Sequence, residues 1–438
     1  MTLLCIRGGR VIDPSQQIDQ EADLWIEDQR IVGIGPRPAS KTYEILDARG
    51  MLVVPGLVDM HVHLREPGDE NNETIESGTR AALESGFTSL AIMPDTEPAI
   101  DNQSSAEFIT AQAKRAGNVN VFPIGALTKG RQGEELAEMG GLVEGGAVAF
   151  SDSDQSVSNP EIMRRGLEYA SMLGKTVLSR PEVEELTRRG IMNEGFVSVT
   201  LGMPGIPAAA EQIQVDRDIH LAKWTGGKLH LQCLSCEGSV ESVRRAKAEG
   251  FAVSAEVCPH HFTLTDDEFR TFDSNFKVNP PLRTPRDVQA IIRGLIDGTI
   301  EVIASDHSPY ADELKLRELD EAPFGMIGIE TLLPISIHSL IEPGHLTWSQ
   351  LIEKLATNPA RVLGINRGTL KEGRPADVTI IDPNEEWKID VRKFRSRSHN
   401  CPFHGWSMKG RVVSVLVAGQ VRFTRVPANR AEISAERR

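Results

Sequence analysis

The sequence predicts an α/β protein: a (β/α)8 barrel over residues 53–366 and a small β-sandwich-like domain built from 1–52 and 367–438. Three observations carry this. The middle of the chain alternates eight short apolar runs with segments of helical period. Both ends instead alternate short β-like runs with turns. With 438 residues, 40% of them hydrophobic, the chain can bury a barrel and a smaller domain together.

Taken in order, Leu3-Leu-Cys-Ile, Arg10-Val-Ile, Ala22-Asp-Leu-Trp-Ile and Arg30-Ile-Val-Gly-Ile read as short strands. The barrel strands are expected at 57–63, 89–94, 119–126, 147–151, 176–179, 228–234, 252–258 and 301–305. Segments 73–85, 160–173 and 285–297 carry apolar residues at helical period. Strands resume at 376–382 and 411–423 and are expected to pair with those of the first 52 residues. The polar end, 431–438, is expected to fray.

A formal net charge of -14 argues against nucleic acid or an anionic membrane as partner, since either needs a basic face. No apolar stretch reaches membrane-spanning length, and the first residues meet a charge too early for a signal peptide, so a cytoplasmic location is expected. Five scattered cysteines do not suggest a disulfide framework. Cys233-Leu-Ser-Cys236 is formally C-x-x-C, but no second such pair exists, and two free thiols at a strand end is the plain reading.

The most informative run is Pro55-Gly-Leu-Val-Asp-Met-His61-Val-His63-Leu-Arg65. Histidines at i and i+2 on a strand project to one face and can grip one metal ion. At the end of the eighth run stands Asp306-His-Ser-Pro-Tyr310. With Glu73–Arg80, Gly202-Met-Pro-Gly-Ile-Pro, Ala255-Glu-Val, Pro259-His-His and Lys277-Val-Asn-Pro-Pro-Leu-Arg, these motifs resemble the type I dihydroorotases along nearly the whole chain. The resemblance implies an amidohydrolase-type barrel. It implies the zinc-dependent interconversion of N-carbamoyl-aspartate and dihydroorotate in pyrimidine biosynthesis. His61, His63 and Asp306 match metal ligands, and Asp306 also matches the carboxylate that takes and returns a proton. Arg65 and Asn279 match groups that hold the substrate. Asp95 and Tyr310 stand where the family places a substrate-side asparagine and histidine.

Three further ligand positions depart from the family: its bridging aspartate falls on Ser153, its fifth-strand histidine on Arg180 and its sixth-strand histidine on Cys233. A thiolate can bind zinc, but a guanidinium offers no lone pair. At about 4 Å it would repel a divalent ion by roughly 8 kcal/mol at an effective dielectric of 20. At most one zinc ion per chain is therefore expected, on His61, His63 and Asp306, with an empty pocket as the alternative. Arg180 is expected to pair with Asp306, Asp154 or Asp95, since a buried cation needs a partner. His260 and His261 read as structural. His230, three residues before Cys233, should face away from the metal.

Two functions follow. In one the chain is a catalytically impaired relative that assembles with or regulates aspartate carbamoyltransferase, as the resemblance to such pairs implies. In the other it is an active mononuclear zinc dihydroorotase or a related cyclic amidohydrolase. Its small-molecule partner would be a cyclic amide or an N-carbamoyl amino acid, and a homo-oligomer is expected.

Overall fold

Leu57–Val62 is buried on both faces, as a parallel strand sandwiched between a barrel interior and a helix layer must be. It opens a sheet of eight strands that continues through Phe87–Ile92, Asn120–Gly125, Ala149–Phe150, Thr176–Ser179, Leu229–Leu231, Val253–Val257 and Val302–Ile303. All eight expected strands are present. The His63 amide donates to His307 O at 3.0 Å and Val62 bridges His307, which closes the barrel between its first and last strands. The structure is a computed structural model that describes residues 3–36 and 43–425; the end expected to fray lies outside them.

Alternation sorts the strand residues. Val58, Met60, Ala91, Met93, Ala149, Leu178, Val302 and Ala304 cluster in the interior. Leu57, Leu90, Ile92, Phe150, Val177 and Ile303 pack outward against helices. The helix Pro285–Asp297 shows how that layer forms. Thr284 caps it in a reciprocal pair with Asp287, Pro285 presets the first turn, and Gly298 ends it at φ 81. Its Val288, Ile291, Ile292 and Leu295 form the inward stripe, each contributing about 1.5–3 kcal/mol when fully buried. Ile291→Asp would break that stripe.

The second sheet interleaves both chain ends. Leu52–Pro55 pairs antiparallel with Val378–Lys388, Val378 opposite Pro55, while Val11 of Leu3–Asp13 lies beside Val53. Ile6, Val11, Leu24, Ile26, Val53, Val378, Ile380 and Leu416 share one core. Two expected details differ. The first two short runs are one strand, Leu3–Asp13, because a register shift between Ile6 and Gly9 carries it through the glycines. The run 411–423 is two strands, Ser407–Val417 and Gln420–Thr424, turned by Ala418 and Gly419 at φ 49 and 73. Gly56 links this sheet to the first barrel strand, and a Cβ there would overlap the Thr88 side chain. No described helix is long and apolar enough to cross a membrane.

Candidate active site

The site lies where the barrel strands end, and its backbone is specialised there. Arg65, Ser153, Cys233 and Asp306 all adopt left-handed φ, 54, 58, 50 and 50°. Such conformations are disfavoured for residues with a Cβ by about 1–3 kcal/mol each. They re-aim side chains at the strand ends. The first strand adds a register shift between Asp59 and Val62. Simple alternation would put His61 on the face of Leu57, toward the helices. Beyond the shift it meets the strand ends across the barrel instead.

His61 and His63 each carry a carboxylate behind the ring. His61 Nδ1 lies 2.5 Å from Glu256 Oε1, and His63 Nδ1 lies 2.7 Å from Asp95 Oδ2. A carboxylate on Nδ1 holds the proton there and leaves the Nε2 lone pair free. Those Nε2 atoms converge on one oxygen, Asp306 Oδ1, at 3.6 and 3.4 Å. His61 Nε2 is buried without a hydrogen-bond partner. The donor set therefore fits one metal ion. Ligand atoms of His61, Cys233 and Asp306 all lie within 4.8 Å of one another. Burial works to raise the Asp306 pKa, but the hydrogen bond with His63 and the charges of His61, Arg180 and His63 hold it far below the carboxylate range. Glu256 is likewise held down, to about 2, by His61 and His230 against burial.

The opposite wall offers fewer donors. Ser153 Oγ is buried without a partner. Neither neighbouring aspartate replaces it. Asp152 accepts from the amides of Leu127 and Thr128 at 2.8 and 2.9 Å, and Asp154 turns outward to Arg131 at 2.6 Å. Arg180 is only 6% exposed, its Nε has no partner, and it forms no ion pair with any described carboxylate. This corrects the expected pairing. Each of the three carboxylates is nearer another cation: Asp154 has Arg131, Asp95 has His63 and Arg65, and Asp306 has the two histidines. Burial lowers the Arg180 pKa, yet the fields of Asp306, Cys233, Glu182 and Asp154 together keep it raised. Arg180 is a fixed cation beside the candidate metal position.

The substrate side is internally satisfied. Asp95 Oδ2 takes Arg65 NH1 at 2.7 Å as well as His63. The Arg65 guanidinium also lies 4.9 Å from the centre of the Tyr310 ring. Asn279 Nδ2 donates to Glu182 Oε2 at 2.8 Å. Arg65, Asp95 and Tyr310 are thus brought together, while Asn279 is engaged elsewhere.

Three groups were not singled out from sequence. Glu256 joins His61 and His230, the latter at 3.1 Å. Its signal was a charged residue inside the fully paired strand Val253–Val257, where it is completely buried. Glu182 carried no local signal. Cys258 lies with Sγ 3.4 Å from Cys233 Sγ, whereas Cys236 turns to Glu211 and Ser239. The two cysteines of the C-x-x-C therefore face different partners. Burial keeps His260 and His261 neutral, the latter with its pKa lowered to about 4.

The chain as a whole is similar to known proteins. A family model described as dihydro-orotase-like matches residues 50–239. The chain is 49% identical over 418 residues to a protein named dihydroorotase from Acetivibrio thermocellus, covering 95% of this chain and 98% of that one. It is 50% identical over 424 residues to another of that name from Geobacter metallireducens, covering 96% and 100%. Among solved structures, the L-hydantoinase of Arthrobacter aurescens superposes with a TM-score of 0.86 at 24% identity, covering 96% of both chains. The dihydropyrimidinase of Brevibacillus agri gives 0.82 at 23%, covering 96% and 95%. At that identity the two structures speak for the fold alone.

Proposed function

The chain belongs to the dihydroorotase family, and from that premise we propose that it serves pyrimidine biosynthesis as a catalytically impaired dihydroorotase-like protein. The observation that carries this reading is the closed circuit at the mouth. Asp95 satisfies both His63 and Arg65, so Arg65 reaches an incoming carboxylate already paired. An aspartate about 4 Å from a bound carboxylate opposes it by roughly 4 kcal/mol at an effective dielectric of 20. Arg180 adds a fixed cation where the family's second metal would need a donor.

His61, His63 and Asp306 would hold one zinc ion, which when bound polarises a carbonyl and acidifies water. The chain's own residues orient the two rings through Glu256 and Asp95. Asp306 stands between the two rings and Arg180 and would share its carboxylate between holding the ion and taking a proton. The companion role is assembly with aspartate carbamoyltransferase, supported by the family resemblance. Met172 and Trp224, 82% and 74% exposed, are apolar surface available for such contact. The division into a 53–366 barrel and a composite unit of 1–52 and 367–438 belongs to the same proposal. The continuous pairing of Leu52–Pro55 with Val378–Lys388 supports it.

A second reading, an active mononuclear zinc enzyme for dihydroorotate or a related cyclic amide, is favoured by the intact histidine–carboxylate pairs. Restoration separates the two. With zinc supplied, the combined variant Asp95→Asn, Ser153→Asp, Arg180→His and Cys233→His should gain at least about 10²-fold in dihydroorotate turnover, the scale of a recovered proton-transfer group. Wild-type turnover equal to that of the restored variant would favour the second reading.

A further inference from the structure

We propose that Cys258, His260 and His261 form a metal position separate from the His61–His63–Asp306 set, suited to a borderline-soft divalent ion such as zinc. One ligand atom from each of Cys258, His260 and His261 lies within 4.8 Å of the other two, and all three residues are buried. Cys233 Sγ stands 3.4 Å from Cys258 Sγ but also 3.5 Å from His61 Nδ1, and it groups with His61 and Asp306 rather than with His260 and His261.

The second line of support is independent of proximity. His261 Nε2 is 2.9 Å from Pro280 O and donates its proton there, so Nδ1 carries a lone pair, and that Nδ1 is buried without a partner. His260 Nε2 is also buried without a partner. These residues are 2% and 3% exposed, and an unmatched buried ring nitrogen is disfavoured unless something satisfies it. A zinc ion held by the Cys258 thiolate would satisfy both.

Soft sulfur ligands favour zinc over magnesium or calcium. On binding, each ligating thiol exchanges its proton for a metal–sulfur bond, and the proton leaves to solvent. The expectation of a single ion then applies to the family position alone.

The test is a cobalt titration of the full chain, chelator-stripped and kept in reductant, followed by zinc displacement. The wild type should show a thiolate-to-cobalt charge-transfer band. The band should persist in His61→Asn and Asp306→Asn and vanish in Cys258→Ser, with Cys258→Ala as a second variant. A band that survives undiminished in a folded Cys258 variant but vanishes in His61→Asn would overturn the proposal and place the sulfur contact at Cys233 within the family position. No band in the folded wild type would also overturn it. Independently of any variant, zinc-edge absorption of the wild type loaded with one equivalent should give a sulfur neighbour at about 2.3 Å; nitrogen and oxygen neighbours alone would contradict it. Loss of metal at His61 with the sulfur band intact would instead count against the family-site reading.

Discussion

The two walls of the barrel mouth share a backbone and differ in chemistry. On the first and eighth strands, His61, His63 and Asp306 keep their donors, and Glu256 and Asp95 keep the rings oriented. On the fourth, fifth and sixth stand Ser153, Arg180 and Cys233, of which Ser153 Oγ and Arg180 Nε are buried without a partner. Yet Ser153 and Cys233 retain the same left-handed φ as Arg65 and Asp306. The strand ends are thus built to aim side chains inward whatever those side chains are. Chemistry can be exchanged on such a frame without disturbing the fold.

The largest test of the retained wall is Glu256→Ala. It strips a buried carboxylate from His61 and His230 together and should lower unfolding stability by about 3–5 kcal/mol, read by denaturant melts. Glu256→Gln should fold and weaken zinc binding at His61 by roughly 10- to 100-fold. A Glu256→Ala protein as stable as wild type would mean that Glu256 does not support the ligand wall.

A control away from both walls is Glu330, whose carboxyl is pushed up to about 8 by burial, with Glu73 and Glu84 adding to it against the amides of Arg395 and Ser396. A raised folded-state value means stability that is full below the ordinary value near 4.5 and lost as pH rises through about 8. Melting temperature should therefore fall over that window by the equivalent of a few kcal/mol at most, since each tenfold change in proton affinity is worth about 1.4 kcal/mol. Glu330→Gln should flatten the slope; an unchanged slope would assign the pH dependence to the mouth.

Arg180→Met sharpens the comparison from the altered wall. Removing the fixed cation should tighten metal binding at His61, His63 and Asp306 by at least about tenfold, or about 1.4 kcal/mol, in competition with a chromophoric chelator. Unchanged affinity would show that the guanidinium does not act on that position.

The strands were legible because each is a short apolar run bounded by turns, and the site because its residues stand at the ends of those runs. What stayed hidden is pairing across the barrel. The partner of Asp95 proved to be Arg65, not Arg180, because the left-handed turn at Arg65 brings its guanidinium back toward the second strand. Glu182, which takes Asn279, stands 97 residues from it in the chain. Cys258 looked like one of several scattered thiols until the closure of the barrel set it against Cys233. Local periodicity specifies faces, whereas such contacts depend on register and strand-end conformation.

The central claim is that the altered wall removes turnover and that Arg180 alone does not account for the loss. Dihydroorotate hydrolysis by zinc-loaded wild type and by Arg180→His tests it most directly. The account predicts turnover at background in both, because Ser153 still lacks the bridging carboxylate and Asp95 still occupies Arg65. Substantial wild-type turnover that falls on Arg180→His would contradict it and make Arg180 a working cation of an active enzyme.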